Sequence, residues 1–538
     1  MKWVNFLHFY QPHNQQKDIL NRIVHESYLP IVKGLLERPK ARTVININGA
    51  LVRLLADEGY DELLEGFRTL GKEGWAEFTG SAMYHAFLPL IPKEEIKRQI
   101  MLNDAANKEV LGNWYSPVGF FSPEMGINSR VLDVVSELGY KWIGASEVAL
   151  PPEKKDLMGK SLFVDSNGDI DIFFRNKRVS SLILSASTRR AGKFLEETTD
   201  LWGSGVGENG HWFTVMDAET FGHHRIGHEK LLFDLLDDSQ IESVLAKDLL
   251  GTNLSVEEVE IRPSTWTNSE QDFWLDKEHT KKTSGRSFIL WRDPTNPIHK
   301  LQWDFVNYVL GLLKEKEETL DSATWDKARQ LMDKALASDQ FWWASTNPWW
   351  SLEMIEQGAF QLKMVAAVLC GFADSSGEVF TDKEQLPSEM TKAENYYRKI
   401  LDQAFEWQRS GYIRQKHLDN SSTFMKKPFK ERAPAEWYNQ IALEFEDQMQ
   451  KAADDRDFEL AIKWRDALTK LRQGTDIYDV LHVVDELWSA RSIPELKPFL
   501  EHDWSELSGF SKEQFRAFSG EVGELDKEGF EDWKKRRS

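Results

Sequence analysis

One cysteine, Cys370, in 538 residues rules out an intrachain disulfide and favours a reducing compartment. Positive charge is in deficit. Lys and Arg number 67 against 87 Asp and Glu, a balance of −20, so the broad basic footprint of a nucleic-acid binder is missing. No apolar run reaches the roughly 18 residues of a membrane span. The apolar N-terminal stretch turns polar at Tyr10, too early for a signal-peptide core. No repeat array, helicase motif or nuclease motif is found. These absences predict a cytoplasmic protein with no nucleic-acid and no membrane partner. The 41% hydrophobic and 29% charged residues are those of an ordinary globular chain, and the length allows roughly three domains.

Tryptophan is abundant: 21 residues, beside 31 Phe and 12 Tyr. Rings with an apolar face and a polar edge suit cores, and also flat, partly apolar surfaces such as sugar faces.

Short apolar runs alternate with helical periodicity through the first half. Strands are expected at Trp3–Phe9, Thr43–Ile47, Trp75–Thr79, Val118–Phe121, Lys141–Gly144, Ile170–Phe174, Ser181–Leu184 and Trp212–Met216. Helices fall between them at Ile19–Leu36, Ala50–Leu70, Lys93–Leu111 and Ser129–Leu138, with another near His228–Leu236. Alternation of this kind predicts parallel βαβ units and a barrel-like α/β domain. From His299 the pattern is helical: Leu301–Lys314, Thr324–Leu336, Met354–Phe372 and Met390–Trp407. Asn420–Pro434 reads as a linker. A charged helical hairpin follows, Ile441–Ala453 and Phe458–Leu471 about a turn at Asp454–Asp457, stopped at Gly474. The expected domains are a barrel over 1–295, a helical domain over 296–418 contributing to the cleft, a linker over 419–435, the hairpin over 436–474 and a helical tail over 475–538.

Four polar clusters fall at or just after expected strands: His8-Phe-Tyr-Gln-Pro-His13; Glu77-Phe-Thr-Gly-Ser81 with Tyr84 and His85; Phe121-Ser-Pro-Glu-Met-Gly126; and Met216-Asp-Ala-Glu-Thr-Phe-Gly-His-His224. Side chains at the carboxyl ends of barrel strands converge on one pocket, so four such clusters predict an active site there. Glu124 and Asp217 each follow an apolar approach that would desolvate them. A carboxyl pair whose pKa values are pushed apart can supply a nucleophile and an acid, as glycoside hydrolysis needs. His224 and His228 are four apart and would share a helix face with metal-binding spacing, but no Glu adjoins the first His as in zinc proteases.

On these residues the sequence resembles glycoside hydrolase family 57, which contains α-amylases, amylopullulanases, 4-α-glucanotransferases and branching enzymes. The resemblance covers roughly residues 1–350 and implies an incomplete seven-stranded (β/α) barrel followed by a helical domain. The first family region resembles His8-Phe-Tyr-Gln-Pro, with Tyr10 where a second histidine is usual. The second resembles Trp75-Ala-Glu-Phe-Thr-Gly-Ser with His85. The third falls on Pro123-Glu124, with Phe121-Ser122 where Trp-Leu is common, and implies Glu124 as nucleophile. The fourth falls on Asp217-Ala-Glu-Thr-Phe-Gly222 and implies Asp217 as general acid/base. The fifth matches Ser338-Asp-Gln-Phe-Trp-Trp343. From 124 to 217 the carboxylates lie 93 residues apart, as in compact members; branching enzymes usually carry a long insertion here. The segment Asp457-Phe-Glu-Leu-Ala461 with Trp464-Arg-Asp466 is similar to the UVR motif, an antiparallel helix pair that mediates protein contacts, and implies self-association or a protein partner through 436–474.

The expected function is retaining cleavage of α-1,4-glucans, with α-1,6 bonds as a further target and no cofactor. His8, Gln11, His85, Glu219 and His223 are candidates for sugar hydroxyls, with Asp339 beside them in the fifth region. Trp266, Trp342 and Trp343 are candidates for stacking on sugar rings. The alternatives are a 4-α-glucanotransferase or branching enzyme on the same residues; a metal-dependent carbohydrate deacetylase or α-mannosidase-like hydrolase using His8, Asp217, His223 and His224; and an inactive glucan-binding scaffold.

Overall fold

A computed structural model describes residues 1–184, 190–198, 210–225, 227–267, 287–346, 349–373, 387–419 and 435–473. Ten strands form one sheet: β1 Lys2–Phe9, β2 Thr43–Ile47, β3 Ala76–Gly80, β4 Gly119–Phe120, β5 Trp142–Ser146, β6 Ser161–Asp165, β7 Asp171–Arg175, β8 His211–Asp217, β9 Glu242–Ser243 and β10 Ser255–Val259. Seven of them run parallel in the order β8-β1-β2-β3-β4-β5-β7. This is the incomplete (β/α)7 barrel. β7 and β8 meet without a ladder. Asn176 N–H donates to the Phe213 carbonyl at 2.7 Å, and Arg175 Nε donates to the Val215 carbonyl at 2.9 Å. β6 adds antiparallel to β7, and β10 extends β6.

The barrel strands are buried on both faces, as parallel strands under helices must be. In β1 every residue after Lys2 is buried. Phe6, Phe121, Trp142, Phe173 and Phe213 fill the interior, with ring centroids 5.2–6.4 Å apart. Gly119 makes room for this packing, because a Cβ there would stand 2.0 Å from the Trp142 ring.

The chain then turns helical: Pro297–Lys316, Ser322–Ala335, Asp339–Trp342, Leu352–Leu369, Ser388–Arg409 and Tyr412–Asp419. Three starts carry side-chain caps, from Asn296, Asp321 and Ser351. All of these helices but Tyr412–Asp419 share one hydrophobic cluster with the β4–β7 side of the barrel. Arg98 grips Asp333 with two 2.7 Å bonds, and Arg329 grips Glu95 at 3.0 and 2.7 Å. This double clasp ties the barrel helix Lys93–Leu111 to Ser322–Ala335 and so fixes the segment that follows, Leu336–Trp343.

Several sequence expectations change. Ser181–Leu184 is not a strand; it ends the helix Lys177–Leu184, begun by Asn176 Oδ1 accepting from Val179 N–H. A four-residue apolar run fits a buried helix as well as a strand. Ala50–Leu70 divides into Gly49–Asp57 and Asp61–Lys72 around Gly59, whose φ of 76° stops the first helix. Ile19–Leu36 contains a π-helical turn, Val24–Tyr28. The hairpin comprises Ala435–Asp454 and Phe458–Gln473, closed by Trp464 against Phe445 at 5.1 Å. The linker 420–434, Gly474 and the tail 475–538 lie outside the described residues. Among the described residues, no helix is long and apolar enough to cross a membrane.

Candidate active site

A cavity of about 480 Å³ opens at the carboxyl ends of the parallel strands, lined by residues from β1, β8, the turns after β3 and β4, and the Asp339–Trp349 segment. Of the candidates that the sequence offers, it gathers His8, Gln11, His85, Glu124, Asp217, Glu219, Trp266, Asp339, Trp342 and Trp343. His223 is not among its lining residues; His223 Nδ1 pairs with Glu26 Oε2 at 2.6 Å, while His224 lines the cavity.

Glu124 sits on a turn after β4 in which it and Met125 take φ of 59° and 48°. His85 has φ of 55°. Left-handed backbone at non-glycine residues costs energy and clusters at functional sites. Trp266 holds Glu124 from both ends, its indole N–H donating to Oε2 at 2.9 Å and its backbone N–H to the Glu124 carbonyl at 3.2 Å. Burial pushes the Glu124 carboxyl up to about 8 against the pull of the Trp266 hydrogen bond, and the charges of Asp217 and Asp339 push the same way.

Asp217 ends β8, in register with His8 of β1. Burial raises it to about 6, and the Arg175 guanidinium in the barrel seam opposes the rise. Glu219 is raised to about 8, first by burial and then by Asp217. Tyr28 O–H and Gln11 Nε2 both donate to Glu219 Oε1, the latter at 2.8 Å. The π-helical turn brings Tyr28 there while Ser27 Oγ bonds the Ala218 carbonyl at 2.8 Å. Gly222, φ 114°, allows the close approach, since a Cβ there would lie 1.8 Å from the Glu26 carbonyl.

The two strand-end histidines are neutral. Burial takes His8 down to about 4 and His85 well below the usual imidazole range. Asn46 Nδ2 donates to Thr79 Oγ1 at 3.0 Å, so its Oδ1 accepts from His8 Nδ1 at 2.7 Å and Nε2 is left as an acceptor. His85 Nδ1 lies 3.1 Å from Ser338 Oγ, and its Nε2 has no hydrogen-bond partner among the described residues. Tyr10 stacks on His85 at 3.9 Å and donates its hydroxyl proton to Asp339 Oδ2 at 2.5 Å, joining barrel and helical segment across the cavity.

Among the described residues, no metal site assembles from the histidines. His228 Nε2 is spent on the Ile183 carbonyl at 2.6 Å. No group of three or more His, Cys, Asp or Glu side chains is placed to hold an ion among the described residues. Tyr28, Asn46, Arg175 and Trp349 belong to the site or its supports and were not anticipated. Arg175 had a signal, a charge ending the apolar run Ile172–Phe174; Tyr28 had none.

Residues 2–251 match the profile of Glycosyl hydrolase family 57, and residues 442–474 match the UvrB/uvrC motif. Curated relatives include an alpha-amylase of Pyrococcus horikoshii, 26% identical over 24% of this chain and 20% of its own length. A second is a 4-alpha-glucanotransferase of Thermococcus litoralis, 25% identical over 37% and 30%. The matched region thus spans less than a third of either relative. Among solved structures, the T. litoralis 4-alpha-glucanotransferase superposes with a TM-score of 0.53 at 18% identity, covering 70% of this chain and 60% of that one. A GH57-type branching enzyme of P. horikoshii gives 0.56 at 15% identity, covering 74% and 94%. At these identities the likeness is one of fold.

Proposed function

This chain belongs to glycosyl hydrolase family 57 through residues 2–251, and from that premise we propose that it is a retaining enzyme acting on α-1,4-glucans. The observation that carries the reading is the pair Glu124 and Asp217, both half-buried in one cavity whose lining also includes three indole rings from Trp266, Trp342 and Trp343 and the polar side chains of His8, Gln11, His85, Glu219 and Asp339. Those groups suit ring faces and sugar hydroxyls. Glu124 attacks the anomeric carbon as Asp217 protonates the departing oxygen, giving a glycosyl-enzyme. Asp217 then takes a proton from water or a sugar hydroxyl, whose oxygen displaces Glu124. His8, His85, Gln11, Glu219 and Asp339 position hydroxyls, and Trp266, Trp342 and Trp343 contact ring faces. Hydrolysis, the activity named for the Pyrococcus relative, is preferred; 4-α-glucanotransfer, named for the Thermococcus relative, comes next, and branching after it.

Before substrate binds, the proton favours Glu124 over Asp217. Substrate reverses this order: the glycosidic oxygen accepts from protonated Asp217, and positive charge growing at the anomeric carbon favours ionised Glu124. A second reading exchanges the roles, favoured by Arg175 facing Asp217. Trapping with a 5-fluoro-α-glucosyl fluoride and peptide mapping separates them. Label on Glu124 is expected, and label on Asp217 selects the second reading. On maltoheptaose, Glu124→Gln and Asp217→Asn each lose at least about 10³-fold in turnover. Shorter products alone indicate a hydrolase, and a ladder of longer and shorter products a transferase. Full activity in both folded variants sinks the assignment.

The domain boundaries expected from the sequence are retained in this reading. The hairpin Ala435–Gln473 turns Leu443, Phe458 and Ile462 outward, which supports a role in self-association or binding a protein partner. The single cysteine supports a cytoplasmic setting.

A further inference from the structure

The two carboxylate oxygens of Glu124 are not equivalent. Oε2 accepts the Trp266 indole N–H at 2.9 Å. Oε1 lies 3.9 Å from the neutral His85 Nδ1, beyond hydrogen-bond reach, and has no hydrogen-bond partner among the described residues. The indole is aimed by backbone. Residues 262–267 run past the turn that carries Glu124, and three bonds tie the two segments together. Ile127 N–H donates to the Ser264 carbonyl at 2.9 Å, Ser264 N–H to the Ile127 carbonyl at 3.1 Å, and Trp266 N–H to the Glu124 carbonyl at 3.2 Å. Arg262 N–H anchors the start of the segment on the Ala149 carbonyl at 3.0 Å. The indole ring then packs edge-on against Phe121 at 5.9 Å and His8 at 6.0 Å. Contact with a sugar ring uses the flat of an indole. An N–H locked onto a carboxylate is a separate task.

We infer that Trp266 is a positioning residue for Glu124, holding Oε2 so that Oε1 attacks the anomeric carbon, and stabilising the carboxylate as it leaves the glycosyl-enzyme, all resting on the reading of Glu124 as nucleophile. In the first step an Oε1 lone pair forms the bond to the anomeric carbon. The bond to the leaving oxygen breaks, and its electron pair takes the proton of Asp217. Oε2 is then the carbonyl oxygen of the ester and still accepts from the indole. In the second step water or a sugar hydroxyl gives its proton to Asp217, and its oxygen bonds the anomeric carbon. The ester bond breaks and its electron pair returns to Glu124. The returning charge is shared with Oε2, where the N–H already points. A hydrogen bond to a charged oxygen is stronger than one to an ester carbonyl, so the bond favours this second transition state over the intermediate. Before substrate binds, the same bond leaves the carboxyl proton on Oε1 and opposes the rise that burial, Asp217 and Asp339 impose.

The test uses Trp266→Phe, which loses the N–H, and a full-length chain with benzothienylalanine in place of Trp266, which keeps the fused rings and puts sulfur where the N–H was. With α-maltosyl fluoride as a fast donor, kcat is expected to fall about 10-fold or more in both. Intact mass spectrometry should show the maltosyl-enzyme as the main species at steady state in the variants and not in wild type. On maltoheptaose the alkaline limb of kcat/KM, set in the free enzyme by the proton on Glu124, should move to higher pH. The other titratable groups that face Glu124, namely Tyr10, His85, Asp217 and Asp339, are untouched by these changes. A benzothienylalanine variant with wild-type kcat and an unmoved limb overturns the assignment. So does a fall in kcat without accumulated maltosyl-enzyme, which leaves Trp266 a packing role alone. Label on Asp217 in the trapping experiment, or a wild type that turns over neither sugar, removes the reading of Glu124 and this role with it. Label on Glu124 with variants that behave as wild type removes the Trp266 role alone.

Discussion

Removing the Tyr10 hydroxyl takes a hydrogen-bond donor from Asp339, so in Tyr10→Phe the Asp339 carboxyl keeps its proton to higher pH. A neutral Asp339 no longer pushes the Glu124 pKa up. With Glu124 as nucleophile and substrate having reversed the order of the pair, the acid limb of the kcat profile on maltoheptaose therefore moves to lower pH; a limb that stays put counts against the relay. The same carboxyl couples activity to stability. Glu124 titrates at about 8 folded against an ordinary 4.5, so between those values the folded chain holds a proton that the unfolded chain releases, and stability falls as pH rises. Glu124→Gln should raise Tm over wild type at pH 8 and leave it unchanged at pH 4, read by calorimetry. Glu124 and Asp217 were legible because each follows an apolar run that ends in the cavity, and Glu219 as part of the polar cluster that follows Met216. Tyr28 was not: it meets Glu219 across 191 residues, through a π-helical turn that no residue type announces.

At the scale of elements, the seam between β7 and β8 sets the balance of the carboxyl pair. Arg175 ends β7, bonds the Val215 carbonyl of β8 and holds the Asp217 pKa down. Arg175→Met therefore raises Asp217. If Asp217 is the acid/base, the alkaline limb of the kcat profile, which reports the substrate complex, moves up; if it is the nucleophile, the acid limb moves up instead. One profile thus distinguishes the two assignments. Most barrel strands were legible as apolar runs buried on both faces. β10, Ser255-Val-Glu-Glu-Val259, was not, because it is largely exposed at the sheet edge and carries no such run. Ser181–Leu184 was misread for want of length.

Taken whole, the chain has a cavity whose described lining extends as far as Trp349 and a helical hairpin that begins at Ala435. Trp464, fully buried against Phe445, closes that hairpin. Trp464→Ala removes about 3–5 kcal/mol of packing. It should open residues 435–473 to limited proteolysis while kcat on maltoheptaose is unchanged; a parallel loss of kcat would tie the hairpin to catalysis. The change from strand–helix alternation to pure helix near His299 was legible as a change of period. The common hydrophobic cluster across it was not, because pairs such as Arg98 and Asp333 lie 235 residues apart. Strand order also has a consequence in time. β1 leaves the ribosome first but pairs along its length with β8, which sets His8 beside Asp217. Such distant pairing is slow to form. The nascent chain must be made past residue 217 before that edge closes, and past residue 343 before Asp339 and the tryptophans arrive. Until then the sheet keeps an open edge, and the assembled cavity is among the last features the chain acquires.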